Sequence, residues 1–181
     1  RNALYAGAPA SGLPFHVWGL LCLCGAGVDT AREMALREGV RFAGNALVSD
    51  ARGRALSVEG TAGGLGILES AGGCLVHANH VETESLRASE RRDARQLDAS
   101  RHRRRRLEEL LRGELGRLTA ERCLAFLSDH ANYPCSICCH MDPPRQETTA
   151  AIVAEPTRGQ LRVVRGAPCA NPAAVYSLSL K

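Results

Sequence analysis

Lysine is almost absent. Lys181 is the only lysine among 181 residues, so nearly all the positive charge behind the net +4 rests on arginine. Much of that arginine lies between Arg87 and Arg122, which makes the basicity local and excludes a generally basic surface. The same stretch has no Phe, Tyr or Trp, and so offers no aromatic platform on which bases could stack. Glu108, Glu109, Glu114 and Glu121 follow closely, and the run from Arg101 to Arg106, with His102, reads as a solvated helix face. No nucleic-acid partner is expected. No signal peptide is recognisable. The apolar stretch over residues 13–28 is interrupted by His16 and Gly19 and falls short of the roughly 20 residues that span a bilayer. It reads as a core helix, and no membrane partner is expected.

What is present bounds the rest. The length and the 45% apolar content allow one domain with a sizeable core. Eight cysteines without a secretory signal point to a reducing compartment, hence a cytoplasmic location. Most of them are expected to act as small buried hydrophobes. Because the first residue is Arg1 rather than Met, the chain is expected to be a processed product or a fragment.

Local patterns supply the elements. Pro14 suits the first turn of a helix through Cys24, and Thr30 with Glu33 has capping-box spacing for a second helix through Arg37. Residues 45–59, around Gly53, and 150–164, around Pro156 and Gly159, both read as antiparallel hairpins. Residues 73–80 read as a strand, and residues 89–127 as helical. Leu107, Leu110, Leu111, Leu115 and Leu118 form one apolar stripe in that helical region, and Thr119 with Glu121 can cap a further helix. The sum is an α+β plan.

The densest chemistry is "HANYPCSICCHMDPP", residues 130–144, which holds three cysteines and two histidines. Cys135 and Cys138 have C-x-x-C spacing and, with His130 and His140, would give four zinc ligands. Structural zinc usually takes two such pairs, so the pattern is incomplete. A redox reading needs a helix start after a strand, whereas Pro134, Pro143 and Pro144 make a loop. In "HANH", residues 77–80, a strand would put His77 and Asn79 on one face and His80 on the other, which disfavours a two-histidine metal site. A side-chain amide such as Asn79 can donate to a developing oxyanion.

"GLPFHVWGLL", "AGNALVSDARGRALSVE", "CLVHANH", "RRRRLEELL", "LSDHANYPCSICCH" and "RVVRGAPCANPAAVYSL" occur in an order and spacing that resembles the isopenicillin N acyltransferase-like family of N-terminal nucleophile hydrolases. The resemblance implies an αββα sandwich, antiparallel sheets with helical layers, of which this chain would be a truncated part. Residues 1–181 would be the C-terminal portion of one domain whose nucleophile-bearing N-terminal half is absent. It further implies self-cleavage to expose an N-terminal cysteine. That cysteine attacks a linear acyl amide or acyl thioester, with its own α-amino group as base.

Of the family's catalytic positions, the resemblance places oxyanion stabilisation on Asn79, makes Ser136 a second candidate, and sets Cys139 where the family carries arginine. No nucleophile, cofactor or metal is assigned to the chain, and the C-x-x-C spacing is taken as incidental. The expectation is a piece of an acyltransferase or amidase, inactive until it associates as an oligomer or with the missing half. A catalytically dead relative or binding module with the same fold comes second. A small zinc protein using Cys135, Cys138, His130 and His140 comes third.

Overall fold

A computed structural model describes residues 6–25, 27–50, 52–70, 72–141 and 146–177. They fall into two compact units, Arg1–Ser100 and Arg101–Lys181.

In the first unit a short strand β1 (Leu13–Pro14) leads into helix α1 (Phe15–Cys24), and helix α2 (Val28–Glu38) follows. β1 pairs in parallel with β2 (Val40–Arg41). Three antiparallel strands then run in sequence order, β3 (Gly44–Ser49), β4 (Ala55–Thr61) and β5 (Gly64–Glu69). The first hairpin read from the sequence is thus present, with Ser49 opposite Ala55. β5 was not anticipated, because Gly64 and Gly66 weaken its strand signal. α2 starts at Val28 rather than at Thr30. Its first N–H points to Asp50 Oδ2, at 3.5 Å, in the turn between β3 and β4, and the Thr30–Glu33 pair is not needed.

The strand period explains the packing of this sheet. Ala46, Val48, Leu56, Val58, Leu65 and Ile67 share one face and join Trp18, Val28, Ala31 and Ala35 of the two helices in the main core. Phe42 completes that core and packs against Phe15, with ring centroids 4.9 Å apart and the rings tilted by 30°. The opposite face of β4 carries Ser57, Glu59 and Thr61, all fully buried. Buried polar groups are tolerated only when they are bonded, so this face must be covered by partners.

Around Glu59 the cover comes from the segment between His77 and Thr83, the first part of which was expected to end a strand at 73–80. That strand is not formed. Only an isolated bridge at Cys74 is present, followed by irregular backbone and a 3₁₀ turn at Glu84–Ser89. With the strand absent, the two-faced arrangement of His77, Asn79 and His80 lapses as well. Helix α3 (Ala94–Arg112) begins in the first unit and ends in the second.

The second unit adds α4 (Ala120–Leu127), the small pair β6 (His140–Met141) and β7 (Gln146–Glu147), and the sheet β8 (Ala150–Glu155), β9 (Gln160–Arg165) and β10 (Ala173–Ser177) in the order β10-β9-β8. The second expected hairpin is β8–β9, and β10 extends it. Thr119 caps α4 as read from the sequence, its hydroxyl accepting from the Arg122 N–H at 3.2 Å. α4 lies against β8, and Arg162 of β9 reaches Glu121 of α4 at 3.2 Å. The other face of this sheet leaves Ile152 and Tyr176 exposed.

Two sequence expectations need correction. The leucine stripe stops at Leu111, because α3 ends at Arg112 and Gly116, at φ +80°, turns the chain, leaving Leu115 and Leu118 exposed. The cysteines are not mostly buried: only Cys138 is, while Cys24 and Cys169 are exposed and the others half-buried, all as free thiols. Leu107, Leu110 and Leu111 are themselves half-buried. Leu111→Ala is therefore expected to cost only about 1–2 kcal/mol in urea unfolding, below the range for a fully buried leucine. Arg104, also half-buried and paired with Glu108 at 3.0 Å one helical turn on, should cost about 0.5–1 kcal/mol as Arg104→Ala. A larger loss at Arg104 than at Leu111 would reverse the assignment of the two faces.

Candidate functional site

In the first unit, the segment carrying "HANH" is organised by one side chain that sequence reasoning passed over. Glu59 lies fully buried on β4 between Asn45 of β3 and Gly66 of β5. Its Oε1 accepts from His77 Nε2 at 2.6 Å and from the Glu82 N–H at 2.8 Å, and its Oε2 accepts from the Thr83 N–H at 2.8 Å. Burial alone would push this carboxyl up. The bonds from the His77 ring, Thr83 and Glu82 outweigh that and hold it at about 2. His77 Nδ1 lies 2.6 Å from the Ala78 carbonyl, so both ring nitrogens sit at hydrogen-bonding distance from an oxygen. Gly66 has a role here too. A Cβ at that position would collide with the Thr83 side chain, so the missing methyl lets residue 83 settle against the sheet beside Glu59.

Ser100, in the part of α3 that belongs to the first unit, holds the middle of the segment. Its Oγ accepts from the Asn79 N–H at 2.9 Å and lies 2.9 Å from His80 Nδ1. Asn79 therefore sits in irregular backbone, between His77, pinned to the sheet, and His80, pinned to the helix. Asn45 adds a buried bond to the Ser57 hydroxyl beneath it. A glutamate inside an apolar strand run was the available signal. "ALSVEGT" places Glu59 in phase with Ser57 and Thr61, a polar face that period-two reading can find.

The second unit contains the cysteine-rich loop, and Asp129 at its start organises it. Arg106 of α3 donates to both Asp129 oxygens, with Nη2 to Oδ2 at 2.8 Å. The Arg106 guanidinium, aided by the Ala131 N–H on Oδ1, holds the Asp129 carboxyl below its usual range. The Asp129 carbonyl accepts from the Cys138 N–H at 3.0 Å, and the Pro134 carbonyl accepts from the His140 N–H at 3.0 Å. Tyr133 stacks on the His140 ring, centroids 6.0 Å apart, and meets His130 edge-on.

This loop sorts the residues singled out from the sequence. Ser136 is fully buried and spends its hydroxyl on the Cys138 carbonyl, a turn-stabilising bond. The Cys139 N–H donates to the Thr148 hydroxyl at 2.9 Å, and its thiol lies 3.3 Å from the Gln146 carbonyl. The Cys135 thiol points to the Met141 sulfur at 3.3 Å. His130, Cys138 and His140 do come together, but the fourth member is Cys169, from the turn before β10, not Cys135. His140 Nε2 lies 3.1 Å from His130 Nε2, 3.3 Å from Cys138 Sγ and 3.5 Å from Cys169 Sγ. The two sulfurs are 3.6 Å apart. Nothing in the sequence spacing joins Cys169 to residues some thirty positions earlier.

Among the described residues no helix is long and apolar enough to cross a membrane. No curated protein matches the chain. A family model does: that of acyl-coenzyme A:6-aminopenicillanic acid acyl-transferase matches residues 2–170, nearly the whole length, and the chain belongs to that family.

Proposed function

We propose that the chain forms the oxyanion-binding part of a self-processing cysteine-nucleophile acyltransferase or linear-amide hydrolase. The family implies acyl-donor substrates. In the proposed reaction a cysteine thiolate outside these 181 residues attacks an acyl amide or acyl thioester. The tetrahedral oxyanion forms within reach of the Asn79 amide, the amine or thiol departs, and the resulting acyl thioester passes its acyl group to water or an amine.

The observation that carries this reading is the double anchoring of residues 77–83 by Glu59 and Ser100. An oxyanion donor works when it is fixed before the charge develops, and a segment tied at both ends to the sheet and in its middle to the helix supplies that fixity. A second reading, a relative that keeps the fold without the chemistry, draws on Cys139. A thiol in place of the family's arginine cannot supply a charged, forked donor.

Intact-protein and peptide mass spectrometry after incubating the complete protein with an acyl-coenzyme A or an N-acyl amine separates the two. We expect one acyl adduct, labile to hydroxylamine as a thioester is, on a cysteine other than the eight present here. An adduct on one of those eight would displace the proposed nucleophile, and no adduct with any acyl donor would favour the inactive relative.

A further inference from the structure

We infer that the second unit holds a structural zinc ion through His130 Nε2, Cys138 Sγ, His140 Nε2 and Cys169 Sγ. Four protein ligands would leave no open coordination position, so the site is distinct from acyl transfer and acts as a staple.

Geometry carries the inference. Tetrahedral zinc, with Zn–N of about 2.0–2.1 Å and Zn–S of about 2.3 Å, separates its ligand atoms by about 3.3 Å for N–N, about 3.6 Å for N–S and about 3.8 Å for S–S. The four separations around His140 and between the sulfurs are 3.1, 3.3, 3.5 and 3.6 Å, each a little inside those values. All four ligand atoms lie within 4.8 Å of one another, so His130 would close on the two sulfurs by about 1 Å at most to complete the array. Hydrogen bonding alone accounts poorly for the cluster. His140 Nε2 carries at most one proton, yet it faces three atoms at bonding range, whereas a cation satisfies all four lone pairs at once.

The donor set also names the metal. Two thiolates and two imidazoles in tetrahedral array suit zinc, and the lack of any oxygen ligand disfavours magnesium and calcium.

The supporting structure favours a pre-formed site. The Asp129 carbonyl fixes the Cys138 backbone, the Pro134 carbonyl fixes that of His140, and Tyr133 packs on both imidazoles. On the far side, Gly166 turns the chain at φ +86° and donates its N–H to the Thr149 carbonyl at 2.7 Å, while the Asn171 amide ties back to the Ala167 carbonyl at 2.9 Å. These bonds frame the turn that presents Cys169. A metal here joins the loop after α4 to the exit of the β8–β9 hairpin, two segments with little apolar burial of their own. It also clamps Cys139 between two ligands, Cys138 and His140.

Cobalt(II) titration of the complete, reduced protein tests the site, because tetrahedral thiolate–cobalt gives visible ligand-field bands and near-ultraviolet charge transfer that zinc abolishes by displacement. We expect one cobalt per chain, displaced by one zinc. Cys135→Ser should leave the spectrum unchanged. Cys169→Ser should halve the charge-transfer intensity or abolish binding, and weaken affinity at least about a hundredfold. His130→Cys is the gain-of-signal variant and remains informative if the serine variants fold poorly: a third thiolate should raise the charge-transfer intensity about 1.5-fold. The inference is overturned if the reduced, folded protein takes up no cobalt. It is equally overturned if Cys135→Ser removes the spectrum while Cys169→Ser does not, or if Cys138 and Cys169 are isolated as a disulfide whose reduction restores no metal binding.

Discussion

Replacing Glu59 by glutamine is expected to destabilise the fold by about 3–5 kcal/mol, the cost of taking the charge from a buried carboxylate that accepts several hydrogen bonds. The carboxylate accepts three bonds, two on Oε1 and one on Oε2. Glutamine keeps a single acceptor oxygen, so in either orientation its NH₂ group meets at least one buried backbone N–H. That leaves a donor facing a donor inside the fold. The effect should depend on pH with a definite sign. Burial raises the Glu59 carboxyl, but the bonds from His77, Thr83 and Glu82 outweigh it and bring it from 4.5 to about 2. The unfolded chain therefore takes up the proton first as pH falls. This contribution is complete above about pH 4.5 and disappears as pH drops through about 2; allowing for solvent screening it is on the order of 2–3 kcal/mol. Urea unfolding of both proteins at about pH 7 and about pH 3 checks it: the gap between them should be widest at neutral pH and narrow in acid. A gap independent of pH would mean that the carboxyl charge is not what holds residues 77–83 in place.

The elements that could be read from sequence are those whose stability is local. α1 follows Pro14, the β3–β4 turn is marked by Gly53, and Thr119 caps α4 through its own hydroxyl, so each signal lies within a few residues of its effect. Residues 73–80 read as a strand because "CLVHANH" has strand composition, yet among the described residues no strand pairs with them beyond the bridge at Cys74. Distant side chains hold the segment instead: Ser100 accepts from the Asn79 N–H, and Glu59 accepts from the N–H groups of Glu82 and Thr83 just beyond it. Composition says nothing about such bonds. β5 was missed for the opposite reason, since its glycines lower strand propensity while serving a packing purpose, the seating of Thr83 against Gly66.

The same distinction separates the two sites. Asn79 can be singled out because its motif is contiguous, but Glu59, which holds the residues on either side of it, belongs to a different element that no contiguous motif joins to it. In the cysteine-rich loop, spacing suggested Cys135 as the partner of Cys138. Folding turns Cys135 toward Met141 and brings in Cys169, because the β8–β9 hairpin returns the chain to the loop it left at residue 140. A C-x-x-C pattern is a statement about short chain segments, and a four-ligand centre is a statement about where a hairpin ends.

Replacing Asn79 by alanine is expected to slow acyl-thioester formation by about 10²–10³-fold, the usual cost of removing one oxyanion donor. The reasoning follows the charge. In the substrate the carbonyl oxygen is a neutral acceptor, and in the tetrahedral intermediate it is an anion, so a fixed amide N–H gains most at the transition state. The loss should therefore fall mainly on the acylation rate, with substrate affinity little changed. Asn79→Asp should be slower than Asn79→Ala, because a carboxylate of the same shape offers no donor and repels the developing negative charge. Asn79 is anchored through its backbone N–H to Ser100, a bond that both substitutions preserve, and urea unfolding of each variant beside the kinetics separates any loss of stability from the loss of rate. Single-turnover acylation of the complete protein, followed by mass spectrometry, gives the rates. If Asn79→Ala acylates within about threefold of the parent protein, or if Asn79→Asp is the faster of the two, the oxyanion is stabilised elsewhere and Asn79 serves only to complete the turn between His77 and His80.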